Sequence, residues 1–132
     1  NLKDKFGKSA LVYCVNKDRI KATEFLLVHQ PEVDSLDKFE WTPLMWAVKK
    51  DYFEIIKLLI EYKADINHKD DEGTPIIQYA VENESVDVVK FFIDKGVDIN
   101  VTDQYGLSPL VYALKTKNKA MVDLIRSAGG EY

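Results

Sequence analysis

The chain has 132 residues, 46% of them hydrophobic and 30% charged, with a formal net charge of −4. That mild acidity argues against nucleic acid as the main partner, and no apolar run reaches the roughly 20 residues that cross a bilayer. A single cysteine, Cys14, excludes an internal disulfide.

The first residue is Asn1, and the same slot holds Asp34, Asn67 and Asn100 further along. The chain is therefore expected to begin partway through a repeating unit, as a piece of a longer protein. Nothing at its start resembles a secretion signal. A leader could have gone with an upstream segment, so the compartment is left open, with the cytoplasm as the default reading.

The unit is 33 residues long and recurs without gaps, since 132 is four times 33. Leu11, Leu44, Ile77 and Leu110 stand in register, as do Asp4, Asp37, Asp70 and Asp103. Approximate copies run over 4–36, 37–69, 70–102 and 103–132. A row of such units shares one core between neighbours, and each unit cannot bury its apolar face alone.

Each copy opens on a tight turn, over 4–7, 37–40, 70–73 and 103–106. An Asp at its first position can fold its carboxylate onto the local backbone, and a Gly at its last suits a positive φ. Glu40 replaces that Gly once, so a strained or slightly shifted turn is expected there.

A first helix follows. Thr42-Pro43 and Ser108-Pro109 place a hydroxyl at the N-cap and Pro at N1, while Ser9-Ala10 is a weaker start. Thr74-Pro75 comes one residue early, which predicts a third-copy helix beginning one residue sooner. A small slot at Cys14, Ala47, Ala80 and Ala113 lets these helices approach closely, and Cys14 is read there as a buried small residue rather than a reactive thiol.

A polar break comes next, at Asp18, Asp51, Glu84 and Lys117. Asp51 with Glu54 predicts a capping box for the second helix. That helix carries the heavier apolar load, in Phe25-Leu26-Leu27, Leu58-Leu59-Ile60 and Phe91-Phe92-Ile93. Gly96 suits its C′ position, and His29-Gln30-Pro31 is expected to stop it in the first copy. In the fourth copy Lys119 and Arg126 replace apolar residues, as the outer face of a terminal unit requires.

Thr42-Pro43-Leu44 with Ala47, Ala64-Asp65-Ile66-Asn67, Asp98-Ile99-Asn100 and Ser108-Pro109-Leu110, at this period, resemble the ankyrin repeat. The resemblance covers all 132 residues. It implies an all-α solenoid of four helix-turn-helix units with protruding β-turn loops, and binding to other proteins rather than catalysis. Two family features are missing: the His after the Leu is Val12, Met45, Gln78 or Val111, and the Gly between the helices is absent from every copy. The bonds that His makes between repeats must then be made otherwise or not at all.

By position, the family's contact slots fall on the turn tips and the exposed face of the first helices. On the turns they include Lys5, Phe6 and Lys8, then Lys38, Phe39 and Trp41, then Asp71, Glu72 and Thr74, then Gln104, Tyr105 and Leu107. On the helices, Tyr13, Trp46, Tyr79 and Tyr112 recur once per unit, either filling space between helices or forming a ladder. Such a ladder would be roughly 30 Å long, a track for an extended peptide of about nine residues. The candidate partner-binding set is Phe6, Tyr13, Lys38, Phe39, Trp41, Trp46, Lys49, Lys50, Tyr79, Tyr105, Leu107 and Tyr112. Lysines over the first two copies (Lys5, Lys8, Lys17, Lys38, Lys49, Lys50) suggest a partner with acidic character there.

His29 and His68 are the only imidazoles, without a Cys or His at ligand spacing, so no metal or cofactor is expected. No phosphate loop, nucleophile elbow or Cys-His pair is present. The motif ending in Asn67 resembles an asparaginyl-hydroxylation acceptor, but a simpler role is to hold its turn. The leading reading is a monomeric, non-enzymatic interaction module. A targeting or scaffold segment of a larger enzyme or effector, and a structural spacer or self-associating array, are the alternatives.

Overall fold

The computed structural model describes residues 9–29 and 32–132. Among them are eight helices in four antiparallel pairs and no strand: α1 (Ala10–Asn16), α2 (Ile20–His29), α3 (Pro43–Lys49), α4 (Phe53–Glu61), α5 (Ile76–Glu82), α6 (Val86–Asp94), α7 (Pro109–Thr116) and α8 (Lys119–Ser127). The first helices stack closely, α1 on α3 on α5 on α7, and the second helices form a looser layer behind them. Closer spacing on one side curves the row towards that side, and the turns project from it.

One seam of apolar side chains runs through the stack. Leu11, Leu44, Ile77 and Leu110 are buried, as are Ile55, Leu59, Val88, Phe92, Met121 and Ile125 behind them. Burying a side chain of this size contributes about 1.5–3 kcal/mol. Ala47, Ala80 and Ala113 are sealed, as a close helix approach demands. Cys14, in the same slot, is only partly buried, because α1 has no helix before it among the described residues. Burial still pushes its thiol up, against the pull of Arg19.

Every first helix but the last, and every second helix from α4 on, ends in a Schellman turn. In α4 the N–H of Ala64 donates to Leu59 O and that of Lys63 to Ile60 O; Val97 with Gly96 and Gly130 with Gly129 repeat the pattern. In α3 the corresponding donors are Tyr52 to Ala47 O and Asp51 to Val48 O. The left-handed residue that this turn needs is Gly at 96 and 129, but Lys63 at φ 72° and Asp18, Asp51 and Glu84 at φ 54°, 61° and 58°. Lys117, closing α7, is left-handed too, at φ 61°.

Several local expectations change. The α5 helix starts at Ile76, in register with Pro43, not one residue sooner: Pro75 takes the N-cap position in extended geometry. Its ring disfavours the α region for Thr74, and the extended stretch is held where Asp70 N–H donates to Thr74 O and Ile76 N–H to His68 O. The Asp51–Glu54 capping box does not form. Asp51 is left-handed and outside α4, its Oδ1 accepts from Ser85 Oγ at 2.9 Å, and Glu54 pairs with Lys57 at 3.0 Å. Ser9 and Thr42 cap their helices by accepting from Val12 N and Met45 N, whereas Ser108 donates its hydroxyl to Glu131 O instead. The turn at Glu40 takes the strained one of its two expected forms: Glu40 itself adopts φ 58° and keeps the bond to Asp37 O, without a shift. The stop at His29-Gln30-Pro31 reaches residues outside those described.

Thr23 is fully buried in the slot that Ile56, Val89 and Val122 fill, and its hydroxyl has no hydrogen-bond partner. Thr23→Val should therefore stabilise the chain by about 1 kcal/mol, read as a higher urea midpoint with an unchanged slope.

Candidate functional site

The turns and the aromatic rungs form one hydrogen-bonded device, repeated in the second, third and fourth copies. Asp37 Oδ1 accepts the N–H groups of Phe39 and Trp41, Asp70 Oδ1 those of Glu72 and Thr74, and Asp103 Oδ1 those of Tyr105 and Leu107. The second carboxylate oxygen takes the tip of the rung nine residues on. Trp46 Nε1 donates to Asp37 Oδ2 at 3.0 Å, Tyr79 OH to Asp70 Oδ2 at 2.6 Å, and Tyr112 OH to Asp103 Oδ2. Each ring thus has its polar edge tied to the base of its own turn, which fixes where its face points.

Units two and three are also joined across this face. Trp41 Nε1 donates to Asp70 Oδ2 at 3.1 Å, and the Trp41 ring lies between Trp46 and Tyr79, at centroid distances of 4.8 and 5.1 Å. Such tilted ring pairs add about 0.5–1.5 kcal/mol beyond their buried area. Phe39, at the turn tip, is 51% exposed. Together Phe39, Trp41, Trp46 and Tyr79 line an open cleft of about 320 Å³, with Asp71 and Glu72 at its rim.

The remaining candidates are dispersed. Tyr13 is 59% exposed, and Asp4, its counterpart in the device, lies outside the described residues, as does Phe6. Tyr105 is 74% exposed, whereas Leu107 is partly buried. Lys38, Lys49 and Lys50 are exposed. Lys38 Nζ sits 5.0 Å from the Phe39 ring and Lys49 Nζ 5.4 Å from the Tyr79 ring, so these ammonium groups rest on aromatic faces. The rungs are neither pure filler nor free: Trp46, Tyr79 and Tyr112 are half-buried and tied to the turn carboxylates.

Without that His, hydrogen bonds between copies are made by other side chains. Asn83 Nδ2 donates to Val48 O, His68 Nε2 meets Glu40 O at 2.7 Å, and Lys69 Nζ donates to Thr102 O. Asp34, Asn67 and Asn100 accept from the N–H groups of Asp65, Asp98 and Glu131 in the next unit. The Asn67 side chain thus ties one unit to the next rather than holding its own turn, where Asp65 Oδ1 accepts from Asn67 N–H.

A family model described as ankyrin repeats (three copies) matches residues 1–70 and again residues 62–132, spanning these helix pairs end to end. The chain belongs to the ankyrin-repeat family. Ankyrin repeats are generally protein–protein interaction modules and typically non-catalytic. Among curated proteins, none matches this ankyrin chain. Among its described residues no helix is long and apolar enough to cross a membrane, and no three His, Cys, Asp or Glu side chains are grouped to hold a metal ion.

In the fourth copy of this ankyrin array the Asp103 carboxylate and the Tyr112 phenol shift each other. Burial, then the hydrogen bond and charge of Asp103, push the Tyr112 phenol up to about 12. Burial raises Asp103 in turn, but the bonds from Tyr112, Leu107 and Tyr105 outweigh it and leave the carboxyl below its usual range. Tyr79 is raised further still by burial and Asp70. An unfolded phenol ionises near pH 10. Between about pH 10 and 12 the unfolded chain therefore sheds a proton that folded Tyr112 keeps, and stability falls as pH rises. Denaturation midpoints of the native chain should drop more steeply over that window than those of Tyr112→Phe. Equal slopes would refute the linkage.

Proposed function

We propose that this chain binds a partner protein through an extended segment lying along the first-helix face and the turn tips. The observation that carries this reading is the set of rings at Phe39, Trp41, Trp46 and Tyr79. Their polar edges are bonded inward or absent, while their faces still border an open cleft. Pre-set aromatic surface loses little entropy on binding, and such anchors dominate interface energetics. Tyr13 and Tyr112 extend the track towards the two ends, with Tyr105 and Leu107 beside the last turn. Lys38, Lys49 and Lys50, with Lys17, favour acidic residues in the segment that crosses the first two units.

The test is a random peptide library panned against the immobilised chain. Selected peptides should lose about tenfold or more in affinity for Phe39→Ala and for Trp41→Ala, with helix content unchanged by circular dichroism. Full retention of binding by both variants would reject this surface.

A further inference from the structure

We infer that the cleft between the second and third units is a receptor for an arginine side chain of the bound segment. This rests on the interaction reading above and names the chemistry at its centre. Three features of the cleft converge on a planar cation.

The first is the aromatic wall. A ring face is the negative end of a quadrupole and attracts a cation, and indole does so best. Trp41 Nε1 and Tyr79 OH both donate to the carboxylate of Asp70, and Trp46 Nε1 to that of Asp37. A donor bonded to an anion leaves more electron density on its ring, so these three faces are more attractive to a cation than isolated rings. The chain's own Lys49 already rests 5.4 Å from the Tyr79 ring, which shows that a cation is accepted there.

The second feature is charge. Asp37, Asp70, Asp71 and Glu72 surround the cleft, against Lys38 and Lys49. Asp37 and Asp70 are occupied by the turn and the rings. Asp71 and Glu72 are exposed, and no hydrogen bond or ion pair from the described residues reaches either carboxylate. The cleft thus keeps two unspent acceptors at its mouth.

The third is shape. A cleft of about 320 Å³ open to solvent admits one long side chain from a peptide backbone outside it. A guanidinium can stack on an indole face and present its N–H fork to a carboxylate at the same time, which an ammonium cannot match. Lys17 at the end of α1 and this acidic cleft further along give the bound segment a polarity: acidic residues towards α1, arginine at the junction of α3 and α5.

The probe is N-acetyl-arginine amide, titrated while the indole N–H resonances of Trp41 and Trp46 are followed by NMR, with the citrulline analogue as the neutral isostere. Arginine should give saturable shifts at Trp41 with a dissociation constant on the order of 10 mM, weakened by salt, and citrulline should give none. Asp71→Asn with Glu72→Gln lies on the surface and leaves the fold intact, and it should weaken the arginine shifts about tenfold. No saturable shift, equal shifts from citrulline, or indifference to the double variant would overturn the inference. Peptides from the panned library separate the two proposals. Binding lost with Phe39→Ala and Trp41→Ala but kept by Asp71→Asn with Glu72→Gln would sink the arginine receptor alone, whereas binding kept by both aromatic variants would sink the surface itself.

Discussion

Asp70→Ala is expected to destabilise the protein by about 3–4 kcal/mol, a large share of the 5–15 kcal/mol typical of a folded domain. The Asp70 carboxylate is 8% exposed and accepts four hydrogen bonds, from Glu72 N–H, Thr74 N–H, Trp41 Nε1 and Tyr79 OH. Removing it leaves one turn and two rings with donors facing no acceptor, and unpaired buried donors cost more than their bonds gain. Asp70→Asn should be milder, at about 2 kcal/mol. One oxygen remains for the turn, but the new amide points N–H groups at the donors of Trp41 and Tyr79. Among the described residues Asp103 bonds one ring and joins no second unit, so Asp103→Ala should cost less than Asp70→Ala. Urea unfolding followed by circular dichroism measures all three. A cost below about 1 kcal/mol for Asp70→Ala would show that the clamp is idle.

The opposite sign is expected where the backbone is left-handed without a reason that a side chain supplies. Glu40, Lys63 and Lys117 hold φ of 58°, 72° and 61°; three other copies carry Gly at the slot of Glu40 and two at that of Lys63. A left-handed L-residue costs roughly 1–2 kcal/mol, and Gly returns about half of that in lost chain entropy. Glu40→Gly, Lys63→Gly and Lys117→Gly combined should thus stabilise by about 2 kcal/mol, raising the melting temperature by about 7 °C for a chain of this length. Asp51→Gly and Glu84→Gly are the controls. Asp51 accepts from Ser85 Oγ and Glu84 from Asn118 Nδ2, bonds that tie one unit to the next, so these changes should gain close to nothing. Equal gains at all five positions would mean that the tying bonds carry no weight.

These contrasts mark what the amino-acid order made legible. Repeat length, helix pairs, the buried leucine register and the closely packed alanines follow from spacing, because periodic burial leaves a periodic record. The turn Asp was readable too, through its backbone bonds. Its second oxygen was not, although the spacing is plain: Asp37 to Trp46, Asp70 to Tyr79 and Asp103 to Tyr112 each span nine residues. Composition cannot tell which donor a carboxylate meets once the chain has turned a corner. The Asp51–Glu54 pair misled for a similar reason, since a capping box assumes an extended N-cap and the tight corner between helices leaves Asp51 left-handed. Pro75 misled because a Thr-Pro pair marks a helix start without fixing which of its two residues takes the N-cap. The members of the cleft were visible as separate slots, but Trp41 reaching across to Asp70 needed the stacking of two units to be seen.

The rung slot accepts either indole or phenol, since both carry a donor at the far edge of a flat ring and both reach the same oxygen. Two quite different surfaces are therefore interchangeable there without disturbing the loop beneath. A lineage built on such a slot can retune what it recognises one floor at a time while the architecture stands still, and its taste for partners is free to drift faster than its shape.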